Sequence, residues 1–325
     1  MTGAQRAPQS LRRAVVVGGA GAVGSMLVRL LADAGVRVVV VDRVVPDEVP
    51  PTVVALVGDV QHPDARTATA LAAADLVVLA LPEPVALAVA QEMVSRMSFG
   101  MLLVHTLTVQ SRIADLLADD ERGVEVLGLN PLFAPSLGLP GRGVAAVEVH
   151  PGPRSAELLD LLARAGASIV SLDGIQHDRL MAAAQVLTHA AVLAFGLAMR
   201  DLGVDVGVLG ALAPPPHRAL LAMLARISGG TPEVYWDIQA SNPFAGQARA
   251  ALLGGIQSLS TAVASGERLA FERVLRDGTS VLGEELDGYR ATSAVLLQAL
   301  GSSAVVPSAV PEADGGLDPA TAAPR

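Results

Sequence analysis

Residues 13–24 read RAVVVGGAGAVG, and this stretch decides the fold of the first half of the chain. A short β-branched run leads directly into Gly19, Gly21 and Gly24, and a stretch with apolar residues on one helical face follows them. In such a strand–turn–helix unit, the first glycine permits a tight turn, the second lets the backbone approach a phosphate, and the third lets helix and strand pack closely. Since the N-terminus of the helix offers free N–H groups to phosphate oxygens, the stretch predicts the pyrophosphate turn of a dinucleotide-binding domain.

An acidic residue stands where a dinucleotide site needs one. Asp42 ends the second predicted strand, 23 positions after Gly19 (42 − 19). A carboxylate there accepts hydrogen bonds from the ribose 2′-hydroxyl and repels a 2′-phosphate, which favours NAD. Arg43 beside it can hold a 2′-phosphate, so NADP stays as the alternative. The predicted cofactor residues are Gly19, Ala20, Gly21, Ala22, Val23, Gly24, Asp42, Arg43, and Leu81 and Pro82 after the fourth predicted strand.

Short β-branched runs alternate with helical stretches through the first half of the chain. The predicted strands are 13–18, 37–42, 53–57, 76–81, 101–105, 124–129, 144–149 and 167–172. The predicted helices between them are 22–34, 84–96, 110–118 and 155–165. Continuous apolar runs suit strands that are covered on both faces, and strand–helix alternation implies a mostly parallel sheet. The pattern therefore predicts an α/β Rossmann-type, doubly wound parallel sheet.

The pattern changes after about residue 173, where Ala- and Leu-rich helical stretches replace the strands. They are predicted at 176–200, 204–212, 216–228, 231–240, 244–265, 267–283 and 285–299. The predicted organisation is a flexible N-terminus (1–10), a Rossmann domain (11–172), an all-α domain (173–299) and a Pro-rich disordered tail (300–325).

Composition excludes several classes of protein. The 325 residues are 51% hydrophobic and carry a net charge of −9, without the basic surplus that nucleic-acid binding requires. There is no cysteine, which excludes disulfides and thiolate chemistry. No group of His, Asp and Glu has metal-ligand spacing, so no metal site is predicted.

One apolar stretch, 181–199, raises the question of a membrane span. Gln185, Thr188 and His189 interrupt it, and its longest apolar run is well short of the roughly 20 residues that cross a bilayer. It is interpreted as a buried core helix, with no membrane partner. Because residues 1–10 are polar and show no secretory signal, a cytoplasmic location is expected.

Four motifs occur in an order that is typical of one enzyme family. They are GGAGAVG (18–24), LVHTLTVQS (103–111), LGLNPLFAPS (127–136) and QHDRLMAAAQVLTHA (176–190). With them, the chain resembles the prephenate dehydrogenase family, which includes arogenate dehydrogenases, from about residue 13 to residue 290. The resemblance implies a Rossmann domain followed by a helical domain that dimerises. It also implies an oxidative decarboxylation, in which C4 of a cyclohexadiene ring loses a hydride to NAD(P) and the ring carboxylate leaves as CO2.

The resemblance also shows where this chain departs from the family. Asn130 stands in place of the family's general-base histidine, and a carboxamide can orient a donor but cannot take up a proton at neutral pH. Thr108 matches a family serine that supports this histidine. His105, which matches an aspartate, either hydrogen-bonds a backbone carbonyl at the strand end or replaces the missing base. These changes imply a changed substrate, a lost activity or an unrecognised base.

Cations in the helical domain are expected to bind a dicarboxylate substrate. Arg226 matches a family arginine that holds a substrate carboxylate, and Arg218, eight residues earlier, shares its helical face. His189 is either a core histidine or, by resemblance, a residue of the substrate pocket. His177 and Asp178 begin the long helix, where Asp178 is interpreted as a cap or as a complement to the helix dipole.

The most specific hypothesis is a ring acid with an amine at C4, 4-amino-4-deoxyprephenate, which would give 4-aminophenylpyruvate. An alcohol at C4 needs a base to lose its proton, whereas an amine can be neutral and its lone pair assists hydride departure. The alternatives are an ordinary prephenate or arogenate dehydrogenase with a substitute base, and an inactive NAD-binding regulatory protein. A homodimer through helices 174–298 is also predicted, since they carry more Ala and Leu than one small domain can bury.

Overall fold

The computed structural model describes residues 10–46, 48–230 and 232–302 of the chain. The predicted flexible N-terminus therefore lies outside the described residues except for Ser10, and the predicted tail lies outside them from residue 303 onward. Residues 300–302 belong to the last helix, so the start of the tail at residue 300 was predicted too early.

Within the described residues, eight strands form one sheet in the order β3-β2-β1-β4-β5-β6-β7-β8. The strands are β1 (Arg13–Val17), β2 (Arg37–Asp42), β3 (Val54–Val57), β4 (Leu76–Leu79), β5 (Leu102–His105), β6 (Glu125–Pro131), β7 (Gly143–His150) and β8 (Ser168–Ser171). All neighbours are parallel except β6 and β7, which are antiparallel. Every predicted strand is confirmed, and the strand order reverses between β1 and β4, where doubly wound sheets bind ligands at the carboxyl ends of the strands.

In the part of the chain that the structure describes, five helices accompany the sheet and eight follow it. The first five are α1 (Ala22–Asp33), α2 (Ala65–Ala72), α3 (Glu83–Arg96), α4 (Ser111–Leu117) and α5 (Pro153–Arg164). The others are α6 (Gly174–Met181), α7 (Thr188–Asp201), α8 (Val206–Leu212), α9 (Pro215–Ser228), α10 (Pro232–Ala240), α11 (Ala245–Ala264), α12 (Arg268–Ser280) and α13 (Leu286–Ser302). A π-helical segment, Ala182–Leu187, connects α6 to α7, and short 3₁₀ turns lie at Pro135–Leu137 and Gly283–Glu285.

The core lies on both faces of the sheet, as the continuous apolar runs predict. Along β1, Ala14 and Val16 belong to one apolar cluster, whereas Val15 and Val17 belong to the other. Alternation of side chains along a strand sends successive residues to opposite faces, so a strand covered on both sides must be apolar throughout. This double burial fixes the positions of the loops at the carboxyl ends of the strands.

The chain divides into two compact units. One comprises residues up to Leu187 together with Glu233–Ala248, and the other comprises Thr188–Pro232 and the residues from Arg249 onward. This division differs from the boundary predicted at residue 173. The reason is that Ala182 and Val186, in the π-helical segment, pack with Ile238 and Ala245 in a small apolar cluster of the first unit.

One helical run, Gly174–Asp201, is long and apolar enough to cross a membrane by length and composition alone. Such a run is weak evidence of a span, because the core helix of a soluble protein passes the same test. Only 22% of its most apolar 18-residue window is buried within the chain. Most of the helix at 181–199, which was expected to be a buried core helix, is therefore not buried within the single chain.

Candidate active site

The glycine-rich turn between β1 and α1 combines tight packing with one open position. Gly18 has a φ of +79°, and a Cβ there would lie 2.1 Å from the Ala80 carbonyl oxygen. At Gly24, a Cβ would lie 2.2 Å from the carbonyl oxygen of Gly18. At Gly21, by contrast, a Cβ would meet only the Gly18 oxygen, at 3.3 Å. The protein itself requires the two outer glycines, whereas the absence of a side chain at Gly21 leaves space for an approaching ligand.

The turn also supplies donors for an anion. Helix α1 begins at Ala22 with Gly21 as its N-cap, and no side chain caps its first N–H groups. No acidic residue lies in its first turn. Because the first N–H groups of a helix have no partner within the helix and carry its positive dipole end, this terminus suits a pyrophosphate.

Asp42 lies beside this turn at the end of β2. Its carboxylate accepts a hydrogen bond from the backbone N–H of Ala20 at 2.9 Å and one from Val44 at 3.3 Å. These contacts hold it where a ribose would follow the pyrophosphate, and Arg43 next to it is exposed. On the other side of the turn, the exposed Pro82 caps α3.

Asn130 lies near the carboxyl end of β6 and is only 4% exposed. Its Nδ2 lies 3.1 Å from Nε2 of His177, and Nδ1 of His177 lies 2.8 Å from Oδ1 of Asp178. His177 and Asp178 are completely buried. The structure thus links the residue that replaces the family base to a buried His–Asp pair, an arrangement that the sequence does not predict.

Asp178 does not cap its own helix. The cap of α6 is Asp173, which accepts a hydrogen bond from the N–H of Gln176 at 2.7 Å. Asp178 instead accepts the N–H groups of Gln110 and Ser111 at the start of α4, at 2.8 and 3.0 Å, and the Ser111 hydroxyl. Burial alone would raise the pKa of the Asp178 carboxyl, but the hydrogen bonds from His177 and from the α4 terminus hold this pKa below its ordinary value. The capping expectation for Asp178 is therefore wrong, because a tertiary contact takes its place.

His105, at the end of β5, is fully buried. Burial, and to a smaller extent the electrostatic effect of the nearby His177 ring, lower its pKa to about 3. A group so enclosed and so weakly basic is a poor general base at neutral pH, which argues against the substitute-base hypothesis. Neither ring nitrogen has a hydrogen-bond partner in the described part of the chain, so the alternative bond to a backbone carbonyl is also absent there. Thr108, three residues later, is half-buried near the end of the same strand.

In the second unit, Arg226 acts electrostatically on His189. Arg226 is exposed near the end of α9 and forms no ion pair among the described residues. Burial, followed by the positive charge of Arg226, lowers the pKa of the half-buried His189. Arg218 instead donates hydrogen bonds to the carbonyl oxygens of Ala213, at 3.1 Å, and Gly210, at 3.3 Å. Arg218 therefore satisfies carbonyl groups at the end of α8, and its predicted role in substrate binding stays a prediction.

Comparison with known proteins assigns the family. Residues 173–277 match the model of the prephenate dehydrogenase dimerization domain. Over 272 residues the chain is 51% identical to the 4-amino-4-deoxyprephenate dehydrogenase of Streptomyces pristinaespiralis, covering 84% of this chain and 92% of that relative.

The chain belongs to the prephenate dehydrogenase family.

Solved structures agree at the level of the fold. The prephenate dehydrogenase of Aquifex aeolicus superposes with a TM-score of 0.64 at 14% identity, over 82% of this chain and 97% of that one. The arogenate dehydrogenase of Synechocystis gives 0.59 at 17% identity, over 85% and 99%. The predicted Rossmann-type sheet with a following helical domain is thereby confirmed.

Members of the family are NAD(P)-dependent, decarboxylating dehydrogenases, and this chain is such an enzyme. Its own residues fit the dinucleotide: the open position at Gly21, the uncapped terminus of α1 and the carboxylate of Asp42. When bound, the nicotinamide accepts the hydride. Within the described residues no group of three His, Cys, Asp or Glu side chains could hold a metal ion.

Proposed function

We propose that this enzyme oxidises and decarboxylates 4-amino-4-deoxyprephenate to 4-aminophenylpyruvate, with NAD preferred over NADP. The observation that carries the proposal is Asn130, a carboxamide held by a buried imidazole where the family has a general base. The Streptomyces relative that is 51% identical bears the name of this activity, which supports the same substrate.

The chemistry of C4 explains why a carboxamide suffices. When the hydride leaves C4, positive charge develops on the attached heteroatom, while the electrons of the breaking bond to the ring carboxylate complete the aromatic ring and release CO2. An alcohol oxygen donates its lone pair less readily, so its oxidation is assisted by a base that draws off the hydroxyl proton and returns it to the phenol product. A neutral amine instead shares its lone pair with C4 and ends as an aromatic amine without losing a proton from nitrogen during that step, so it needs orientation and no base.

The described residues divide these tasks. Asn130 and Thr108 are proposed to orient the amine, because a carbonyl oxygen and a hydroxyl both accept hydrogen bonds from N–H. Arg226 is proposed to bind a substrate carboxylate, since it is exposed and forms no ion pair in the described part of the chain. An inactive regulatory protein would have no use for such a cation. His189 is proposed to accompany Arg226 at the substrate.

The test is NADH formation by the purified enzyme with three substrates: prephenate, arogenate and 4-amino-4-deoxyprephenate. We expect the amino substrate to have a kcat/KM at least about 100-fold above that of the other two, because a hydroxyl without its base forfeits the roughly 10²–10⁴-fold that general base catalysis contributes. Asn130→His restores that base and should raise the rate on prephenate. The rate on the amino substrate should stay the same or fall. A wild type that is already efficient on prephenate, and that Asn130→His does not improve, contradicts the proposal.

We also propose that the enzyme is a cytoplasmic homodimer formed through its helical region. The family model that matches residues 173–277 is a dimerization domain, and many apolar side chains of the later helices are exposed in the single chain. Contiguous exposed apolar surface of this kind marks an interaction site. The cytoplasmic location is proposed because the enzyme depends on a soluble intracellular dinucleotide.

A further inference from the structure

A buried chain of hydrogen bonds runs from the start of α4 to Asn130. Two backbone N–H groups, of Gln110 and Ser111, point at the carboxylate of Asp178 and can only donate. Asp178 is therefore an acceptor in this arrangement. Since Nδ1 of His177 lies 2.8 Å from Oδ1 of Asp178, that nitrogen must carry a hydrogen.

The position of the hydrogen on the His177 imidazole determines which atom of the Asn130 carboxamide faces it. In a neutral ring with its hydrogen on Nδ1, Nε2 is an acceptor, so the atom of Asn130 that faces it at 3.1 Å must be the donor Nδ2. The two branches of a carboxamide point in different directions, so Oδ1 faces away from the ring. No group among the described residues donates a hydrogen bond to this oxygen.

We infer that His177, held by Asp178, is a positioning residue that fixes the flip of the Asn130 carboxamide and so presents Oδ1 to the C4 amine of the substrate. This inference rests on the proposed function. An N–H group that gains positive charge in the transition state is stabilised by the oxygen, whereas the NH2 branch would repel it. A hydroxyl substrate lacks the base that assists its oxidation, so its rate is low in either orientation. The pair therefore supports activity on the amino substrate and, through it, specificity for that substrate.

The first test is His177→Phe, which keeps a ring of similar size and removes the acceptor. We expect kcat/KM for 4-amino-4-deoxyprephenate to fall about 10- to 100-fold, the range for a lost hydrogen bond to a charged group. The rate on prephenate should change less than about threefold, and the Kd for NAD less than about twofold, since neither depends on the carboxamide oxygen. His150→Phe is the matched control. His150 hydrogen-bonds the Leu117 carbonyl oxygen and pairs with Val126 near the start of β6, whereas Asn130 lies near the end of that strand. It should leave the ratio of the two substrates unchanged.

A double-mutant cycle separates positioning from packing. In an Asn130→Ala background, His177→Phe should have no further effect on the amino substrate, because His177 acts only through the carboxamide. His177→Gln should recover part of the activity, since its Oε1 can accept from Nδ2, and it also serves as the folded variant if His177→Phe does not fold.

Two results would overturn the inference. One is an equal fall on both substrates, and the other is additivity of the two substitutions, since either shows that His177 acts only through stability. If the wild type does not oxidise the amino substrate at all, the proposed function fails and the inference fails with it. If the wild type is active on that substrate but the folded variants keep its substrate ratio, the inference alone fails.

Discussion

Two arginines on one helix have different surroundings, although the sequence suggests similar roles for them. Arg226 is exposed and forms no ion pair among the described residues, whereas Arg218 donates to two backbone carbonyl groups. We predict that Arg226→Ala raises KM for the ring acid about 10- to 100-fold, because a charged hydrogen bond contributes about 1.5–3 kcal/mol. Steady-state kinetics with saturating NAD measures this effect.

Arg218→Ala is the natural companion to that variant. It leaves the α8 carbonyl groups without their donor, so we expect a lower Tm and a KM within about twofold of wild type. If instead Arg218→Ala raised KM and Arg226→Ala left it unchanged, the substrate carboxylate would be bound by Arg218, as the sequence also allows.

We predict that His105 makes the free energy of unfolding depend on pH. Its pKa is about 3 in the folded chain and 6.5 in the reference state, so in between the unfolded chain binds a proton that the folded chain does not. The free energy of unfolding therefore has its full value above about pH 6.5. It decreases as the pH falls toward 3, by up to about 1.4 kcal/mol per pH unit. His105→Leu should flatten this decline, measured as the urea midpoint between pH 7.5 and 4.5. Substitution of the exposed His62 by Ala should leave it unchanged, and equal slopes for wild type and His105→Leu would refute the assignment.

The sequence reveals Asn130 and Thr108 but not what holds Asn130. A local motif shows which residue occupies a position, and here it shows a carboxamide where a base is expected. The partner of Asn130 lies 47 positions away in His177, and Asp178 reaches back 68 positions to Gln110. Neither separation carries a periodicity that a single sequence displays, so only the fold brings these groups together. For the same reason Asp178 looks like a cap of its own helix.

In the glycine-rich turn, the fold requires a glycine at Gly24, whereas Gly21 leaves space for the dinucleotide. A Cβ at Gly24 would strike backbone at 2.2 Å, whereas one at Gly21 would meet only a single oxygen at 3.3 Å. We predict that Gly24→Ala lowers both Tm and NAD affinity, because the turn must shift. Gly21→Ala should keep Tm within about 2 °C and still weaken NAD at least about tenfold, because its methyl group occupies the path of the pyrophosphate. Thermal unfolding and NAD titration of the two variants provide the comparison, and equal NAD affinity in Gly21→Ala and wild type would contradict it.

The elements themselves differ in how well the sequence predicts them. The strands of the described residues are predicted because each carries an apolar or β-branched run, including β3 and β8, which stay largely exposed. Helix α2 is not predicted, because Thr67 is its one buried residue and its only local signal is the cap at Asp64, which accepts from the Thr67 N–H at 2.8 Å. The π-helical segment is also missed, since one extra residue in a helical turn leaves no mark on an Ala-rich pattern.

Across the whole molecule, apolar composition and burial do not match in the second unit. The high hydrophobic content predicts a buried core, and most strands of the first unit contribute to one. Helix α11, in contrast, leaves Leu253, Ile256, Leu259 and Val263 between 43% and 68% exposed. These residues recur at helical spacing and so share one face. A chain that keeps such a face in water would tend to associate, which supports the proposed dimer.

We predict that this face of α11 forms the dimer interface. The wild type should have twice the chain mass of 33.1 kDa in light scattering at micromolar concentration. Ile256→Glu combined with Val263→Glu places two carboxylates seven residues apart on the α11 face. The dimer Kd should then rise at least about 100-fold, since truncating a buried contact at an interface commonly costs about 2 kcal/mol or more and burying a charge adds to that cost. Val57→Glu, an equally exposed valine on the edge strand β3, is the control and should leave the mass unchanged. A wild type of single-chain mass would remove the dimer altogether. A dimer that tolerates both carboxylates would place the interface elsewhere on the second unit, where Leu212 at the end of α8 and Val281 just after α12 are also exposed.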